Sequence, residues 1–403
     1  MDLPGVPPSV LGALKAAALD AGMPRLALVG GVVRDWLLHR HHGRPWDGVP
    51  DLDWVVEGEA ARLAAVLQTR CGAARVTALQ EYGAFGTVAL QLDGVPLDLA
   101  TARQEHYPSP AQNPVVQPGT LLADLVRRDF TINAMALDLL SGELVDPHGG
   151  QRDLEQGQLA FLHADSVSDD PTRVIRAARY AARLGLALSS EARQQMLQTL
   201  QRWPWPWRGG DAPESAPPAL ATRLRMELDR LLEREPWREA LNLLEQWQAL
   251  PLLDPALQRD PQRTRRLTWG QRLGLPLMPL LLAGASDPLA LARRLQIPGQ
   301  QQRWLAQMLD LARWLAEQAP PVEASPSCWT ISLEQSGWSP EAVALLVAQQ
   351  PPQWRPLLRW WGRWRYVGSP ITARELMAAG WKPGPALGEE LRRRRHALLD
   401  QSR

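Results

Sequence analysis

Apolar residues in the first third of the chain gather in short runs, LALVGG, DLDWVVEG, GTVALQL, VPLDLAT and NAMALDL, separated by stretches of helical spacing. Each run predicts a strand, so Met1 to about Val145 reads as a mixed α and β region. From about Asp153 the period changes. In DPTRVIRAARYAARLGLAL, LRMELDRLLEREPWREALNLLEQWQAL and PLALARRLQIPGQQQRWLAQMLDLARWLAEQ the apolar residues recur three and four apart, which predicts helices. An α/β head followed by an all-helical remainder results. The stretch WPWPWRGGDAPESAPP, Trp203 to Pro218, predicts an exposed loop or linker, and Ala319 to Ser327 a second break. Tryptophans crowd the chain from Trp203 through Trp381 and are expected to pack helices rather than to stack on bases.

With 403 residues, 45% hydrophobic and 22% charged, the chain has enough apolar material for several packed domains. The 44 basic and 43 acidic residues nearly cancel, so attraction for nucleic acid has to come from local arginine clusters. Lysine occurs only at Lys15 and Lys382, which makes arginine the cation in hand. The distant Cys71 and Cys328 suit neither a disulfide framework nor a zinc site, and a cytoplasmic location is expected. The N-terminal residues lack the pattern of a signal peptide, and no run of about 18 apolar residues predicts a membrane span.

Candidate chemistry begins at LVGGVVRDWLL, where a β-run enters Gly30-Gly31 and leaves as a helix from about Val32. Glycines there let the backbone approach a phosphate, and the helix N-terminus offers N–H groups and positive dipole. In DLDWVV, Asp51 and Asp53 are alternate residues of a β-run, so both carboxylates point to one face and can converge on hard cations. Asp98, inside the apolar run VPLDLAT, is either a partner in that metal site or a member of a structural ion pair.

Gly-Gly, then Asp-x-Asp, then a later Asp between apolar residues resembles the polymerase β nucleotidyltransferase superfamily. The strings RRDFTINAMALDL (Arg127 to Leu139), VDPHGGQRDLEQGQLAF (Val145 to Phe161) and SDDPTRVIRAARYAARLG (Ser168 to Gly185) narrow the resemblance. They are similar to class II CCA-adding tRNA nucleotidyltransferases and bacterial poly(A) polymerases. Asp169-Asp170 stands where that family usually has Glu-Asp. The resemblance implies an α+β multidomain fold: a polymerase β-like head with a mixed sheet at 1–145, a helical neck with a base-reading helix at 146–260, a helical body at 261–365 and a helical tail at 366–403.

The implied activity is template-independent addition of C, A or both to the 3′ end of tRNA, with CTP and ATP as substrates and two Mg²⁺ ions held by Asp51 and Asp53. Gly30, Gly31, Arg34, Arg127 and Arg128 would hold phosphates, while Arg176 and Arg179, which share a helical face with Arg173, could reach the triphosphate. Cytosine and adenine both present an exocyclic amino donor beside a ring-nitrogen acceptor, and uracil and guanine present the reverse. A carboxylate at Asp170 and a guanidinium at Arg173 match the first pair and repel the second. The segment Ala102 to Leu125 reads as a loop, and no deletion is evident in it. The tail segment Ile371 to Leu399, with Arg392, Arg393, Arg394 and Arg395, is the expected contact with the tRNA acceptor arm. A metal-dependent phosphohydrolase domain, found in some members, needs histidines, and after His163 only His396 occurs. Two rivals stay open, a poly(A) polymerase or A-adding enzyme on the same scaffold and a non-catalytic RNA-binding protein.

Overall fold

Period-two alternation of apolar and polar residues builds the central feature, a seven-stranded mixed sheet. The computed structural model describes residues 3–46, 51–83 and 86–401, and these divide into two units. The first comprises 1–207, 217–227 and 235–249; the second comprises 208–216, 228–234 and 250–403.

In the first unit, helix α1 (Pro8–Asp20) leads into β1 (Arg25–Val29), α2 (Gly31–His42), β2 (Leu52–Glu57) and α3 (Ala60–Cys71). The meander β3 (Val76–Tyr82), β4 (Thr87–Leu92) and β5 (Val95–Thr101) follows, then a separate hairpin of β6 (Arg103–His106) and β7 (Val115–Pro118). Helix α4 (Leu121–Val126) and strands β8 (Ala136–Asp138) and β9 (Leu144–Val145) complete the region. The sheet order is β3-β4-β5-β2-β1-β8-β9, with β2 and β5 parallel and the other pairs antiparallel. Along β5, Val95, Leu97 and Leu99 are buried while Pro96 and Asp98 face outward, so the alternation is visible residue by residue. Helices α1 and α3 pack on each other, and α3 lies against β3, β4 and β5.

Then come α5 (Gly150–Glu155), β10 (Gln158–Leu159), α6 (Ser166–Asp169), α7 (Thr172–Leu184), β11 (Ala187–Leu188) and α8 (Ser190–Arg202). The expectation of a purely helical remainder needs one correction, since β10 and β11 pair as a short parallel ladder. Helix α9 (Thr222–Arg234) contributes residues to both units, and α10 (Trp237–Gln246) packs on α7 in the first.

Three further departures have local causes. The strand β3 was not among the predicted runs because its burial pattern is almost wholly exposed, as suits a polar edge strand. The segment Ala102 to Leu125 is not a plain loop: it holds the β6–β7 hairpin and the start of α4, whose N-cap Thr120 accepts from the Ala123 N–H at 3.3 Å. Within the expected exposed linker, Trp205 and Trp207 are buried, and the Trp205 indole N–H donates to the Ser168 carbonyl at 2.8 Å. The break at Ala319 to Ser327 does separate two helices.

Those two, α14 (Gly299–Glu317) and α15 (Pro326–Gln335), belong to the second unit. Before them stand α11 (Arg263–Arg272), α12 (Leu277–Leu282) and α13 (Pro288–Arg294), and after them α16 (Pro340–Gln349), α17 (Trp354–Gly362), α18 (Ala373–Ala378) and α19 (Pro385–Gln401). Every residue from Ala342 to Ala348 is buried, which makes α16 the central helix, contacted by α11, α12, α14 and α17. Among the described residues no helix is long and apolar enough to cross a membrane.

Candidate active site

A cavity of about 720 Å³ opens in the first unit, lined by residues from the Gly30-Gly31 turn, β2, the β6–β7 hairpin, the turn after α4, α7 as far as Tyr180 and the start of α9. Six arginines and four carboxylates line it, so it favours an anion. The buried Nε of Arg103, Nε of Arg128 and Nη1 of Arg223 have no protein partner there, donors that a phosphate would satisfy.

One end is built by the β1–α2 turn. Gly30 has φ of 76°, a left-handed backbone that a side chain resists, and a Cβ there would meet Nη1 of Arg128 at 3.0 Å. Gly31 begins α2 and also lines the cavity, so the N-terminus of that helix stands at this wall. The adjoining wall carries the carboxylates. Asp53 pairs in register with Asp98 across the parallel strands β2 and β5, and Asp51 stands just ahead of β2, near enough for its charge to act on Asp53. All three are exposed to solvent, yet protein atoms crowd Asp53 enough that desolvation pushes its carboxyl up. Arg128 opposes that rise, and the charges of Asp98 and Asp51 add to it. Like charges held together this way suit a divalent cation. Among the described residues, no group of three or more His, Cys, Asp or Glu forms a complete metal cage. A hard cation bound by one or two carboxylates and completed by substrate phosphate oxygens fits the donor set better.

Above this wall Arg127 and Arg128 are aimed by one buried residue. Asp124 accepts from Arg127 at 2.7 Å and from Arg128 at 2.9 Å. Burial works to raise the Asp124 carboxyl, but Arg128 and Arg127 outweigh it and hold it below the ordinary carboxylate range. The next residue, Asp129, accepts from the Phe130 N–H, from Asn133 at 3.0 Å and from Nε of Arg176 at 2.8 Å. Much of the string VDPHGGQRD serves as scaffold for this turn. Asp146 caps the start of α5 through the Gly150 and Gln151 N–H groups, and a Cβ on Gly150 would stand 2.3 Å from the Thr131 carbonyl oxygen.

At the other end, Asp170 and Arg173 flank the first turn of α7. Oδ1 of Asp170 accepts from the Thr172 N–H at 3.1 Å and from its hydroxyl at 2.6 Å, while Oδ2 accepts from Arg223. Nη2 of Arg173 donates to the Arg127 carbonyl at 2.9 Å. The ring of Tyr107 lies beside both; burial pushes its hydroxyl pKa up, with the charge of Asp170 adding to the shift.

Gly30, Gly31, Asp53, Arg127, Arg128, Asp170, Arg173 and Arg176 thus meet at one cavity. Two predicted phosphate ligands do not line it. Arg34 is buried and committed to Asn133 at 2.7 Å and to Asp35 at 2.8 and 2.9 Å. Arg179 is buried between Glu227 and Glu235, to which its guanidinium is bound. In the second unit, Arg393 and Arg394 bind Glu390, Arg395 binds Glu334 and Arg392 is exposed. Sequence reading missed Arg223, Tyr107, Asp129 and Asn133. A signal existed for Arg223: Glu227, one helical turn later in an otherwise apolar stripe, marks a polar face of α9 turned inward.

Comparison with known proteins identifies the family and the fold. Residues 26–160 match the family described as the poly A polymerase head domain. The chain is 35% identical to the CC-adding tRNA nucleotidyltransferase of Deinococcus radiodurans over 376 residues, 91% of this chain and 82% of that one. It belongs to the tRNA nucleotidyltransferase and poly(A) polymerase family. Within that family it is also 42% identical to the A-adding tRNA nucleotidyltransferase of Aquifex aeolicus over 179 residues, 44% of this chain. That match covers only 20% of the longer Aquifex protein. A solved structure, the CCA-adding enzyme in apo form II, superposes with a TM-score of 0.75 at 25% identity, covering 98% of this chain and 93% of that one. The family's mixed-sheet head and following helices are the architecture seen here.

Proposed function

We propose that this family member adds C, A or both to the 3′ end of tRNA from CTP and ATP, releasing pyrophosphate, with the protein in place of a template. One juxtaposition carries the reading. The Asp170–Arg173 edge, the arginine-lined phosphate wall and Asp53 all face a single cavity.

Asp51 and Asp53, with Asp98 alongside, would hold the Mg²⁺ ions, whose chemistry is to activate the terminal hydroxyl and to neutralise charge on the departing pyrophosphate. The turn at Gly30-Gly31 supplies backbone N–H groups to the phosphates, and Arg127 and Arg128, braced by Asp124, supply fixed positive charge. Asp170 accepts from the exocyclic amino group of cytosine or adenine while Arg173 donates to the ring nitrogen. Uracil and guanine set donor against donor at Arg173 and acceptor against acceptor at Asp170, which is costly in a desolvated site. Arg392 to Arg395 on α19 are the proposed contact with the acceptor arm.

A relative that matches 91% of this chain is a CC-adding enzyme, which favours C addition. Supplying CTP and ATP separately and together to a tRNA lacking its CCA end distinguishes the outcomes by product length. Two added cytidines with or without a final adenosine support the proposal. Long adenosine tails on unrelated RNAs support the poly(A) reading, and no pyrophosphate release at all supports a non-catalytic RNA-binding role.

A further inference from the structure

Behind Arg173 lies a second cavity of about 450 Å³, which shares Glu105, Tyr107, Arg127 and Arg173 with the first. Its other side carries His163, half-buried, with Nε2 at 3.4 Å from Nη1 of Arg173. The backbone of His163 is tied on both sides. Gln195 of α8 donates to its carbonyl at 2.9 Å, and its N–H donates to the Ser166 hydroxyl at 3.3 Å. The ring therefore has a fixed origin.

Arginine offers only donors, so a bond to Nε2 requires a lone pair there and places the ring proton on Nδ1. With Nη2 held by the Arg127 carbonyl and Nη1 by His163, the guanidinium is gripped at two points and its plane is set. Base choice by a fork of donors depends on that plane. We infer that His163 is a positioning residue for base selection, fixing the guanidinium of Arg173 from behind so that its remaining N–H groups meet the incoming base edge. This rests on the assignment of Arg173 to base reading in the proposed function.

Protonation would oppose the grip, because an imidazolium sets a donor against a donor. Burial lowers the His163 pKa below its ordinary value, Arg173 lowers it further and Asp165 partly restores it. The other titratable or charged groups facing the same cavity are Asp169 of α6, Glu105 and His106 of β6, and Tyr107 and Arg127. The neutral ring is thus the resting form near neutral pH.

The test measures kcat/KM for CTP against UTP, and for ATP against GTP, on a tRNA lacking its 3′ end, between about pH 5 and 8. Wild type is compared with His163→Gln, which keeps an acceptor, and His163→Leu, which does not. The expected result is a loss of discrimination of about tenfold in His163→Leu, the scale of one hydrogen bond to a charged group, and near-normal discrimination in His163→Gln. Wild-type discrimination should also fall on the acid side, with no such limb in His163→Gln; protonation of the nucleotides themselves is common to both proteins and cancels. A folded His163→Leu protein with wild-type discrimination overturns the inference. So does an identical acid limb in wild type and His163→Gln, a comparison that decides even where His163→Leu fails to fold. Wild type that accepts all four nucleotides equally instead removes the reading of Arg173 on which the inference rests, a result visible before any His163 variant is made.

Discussion

Asp53 on β2 and Asp98 on β5 are direct neighbours in the register of two parallel strands, and both project from the same, solvent-facing side of the sheet. Because Leu52 and Leu97 are the preceding pair and are both buried, the apolar face of each strand fixes the outward direction of its carboxylate. Asp98 therefore adds charge at the place where Asp53 is already hard to ionise, and nothing in the core depends on it. Substituting Asp98→Ala should lower nucleotide incorporation by about a hundredfold and leave the melting temperature at or above the wild-type value. Pyrophosphate release and a thermal melt check the two halves. A drop in stability with normal turnover would place Asp98 in a structural role.

Arg179 makes the opposite case. Its guanidinium bridges Glu227 and Glu235, both buried, and Arg176 and Arg183 also reach this pair. Arg179→Met should destabilise the protein by about 3 kcal/mol, since it leaves two buried carboxylates short of a partner, while KM for CTP and ATP stays near wild type. Denaturant unfolding and steady-state kinetics measure these separately. A raised KM with unchanged stability would return Arg179 to the triphosphate.

The contrast between these two residues shows where sequence reading carries and where it stops. That Asp53 and Gly30-Gly31 lie together was legible because each signal is local: an outward position on a strand with one apolar face, and a turn that only glycine takes easily. The equal spacing of Arg173, Arg176 and Arg179 suggested one shared face, but Arg173, Arg176 and Tyr180 line the cavity while Arg179 does not. What draws Arg179 away is its pairing with Glu227 and Glu235, 48 and 56 residues downstream. The Arg223 contact to Asp170 spans 53 residues and was hidden for the same reason. Strand β3 and the β6–β7 hairpin escaped because polar edge strands lack an apolar face. Trp205 and Trp207 sit in proline-rich sequence that promises exposure, and only the packed structure shows them buried.

Asp129 gives the fold a pH dependence of defined sign. Burial tends to raise its carboxyl, but Arg176 and Asn133 outweigh burial and hold it below the ordinary value. A folded pKa below the unfolded one contributes stability that is complete above the unfolded value of about 3.9 and disappears as pH falls through the lower folded value. The variant Asp129→Asn should be less stable than wild type by about 2 kcal/mol near neutral pH, and the gap should close as the solution is acidified below that range. Paired thermal melts along a pH series test this. A gap that stays constant or widens in acid would contradict the assignment.

The central claim is that the carboxylates at Asp53 mark the reaction centre of a nucleotidyl transfer whose phosphate wall and base-reading edge surround the same cavity. It is tested most directly by pyrophosphate release from CTP and ATP with a tRNA lacking its 3′ end, comparing wild type with Asp53→Ala at matched tRNA occupancy. The account predicts release by wild type, loss to background in the variant and tRNA binding close to normal in both. Turnover by Asp53→Ala near the wild-type rate would contradict it.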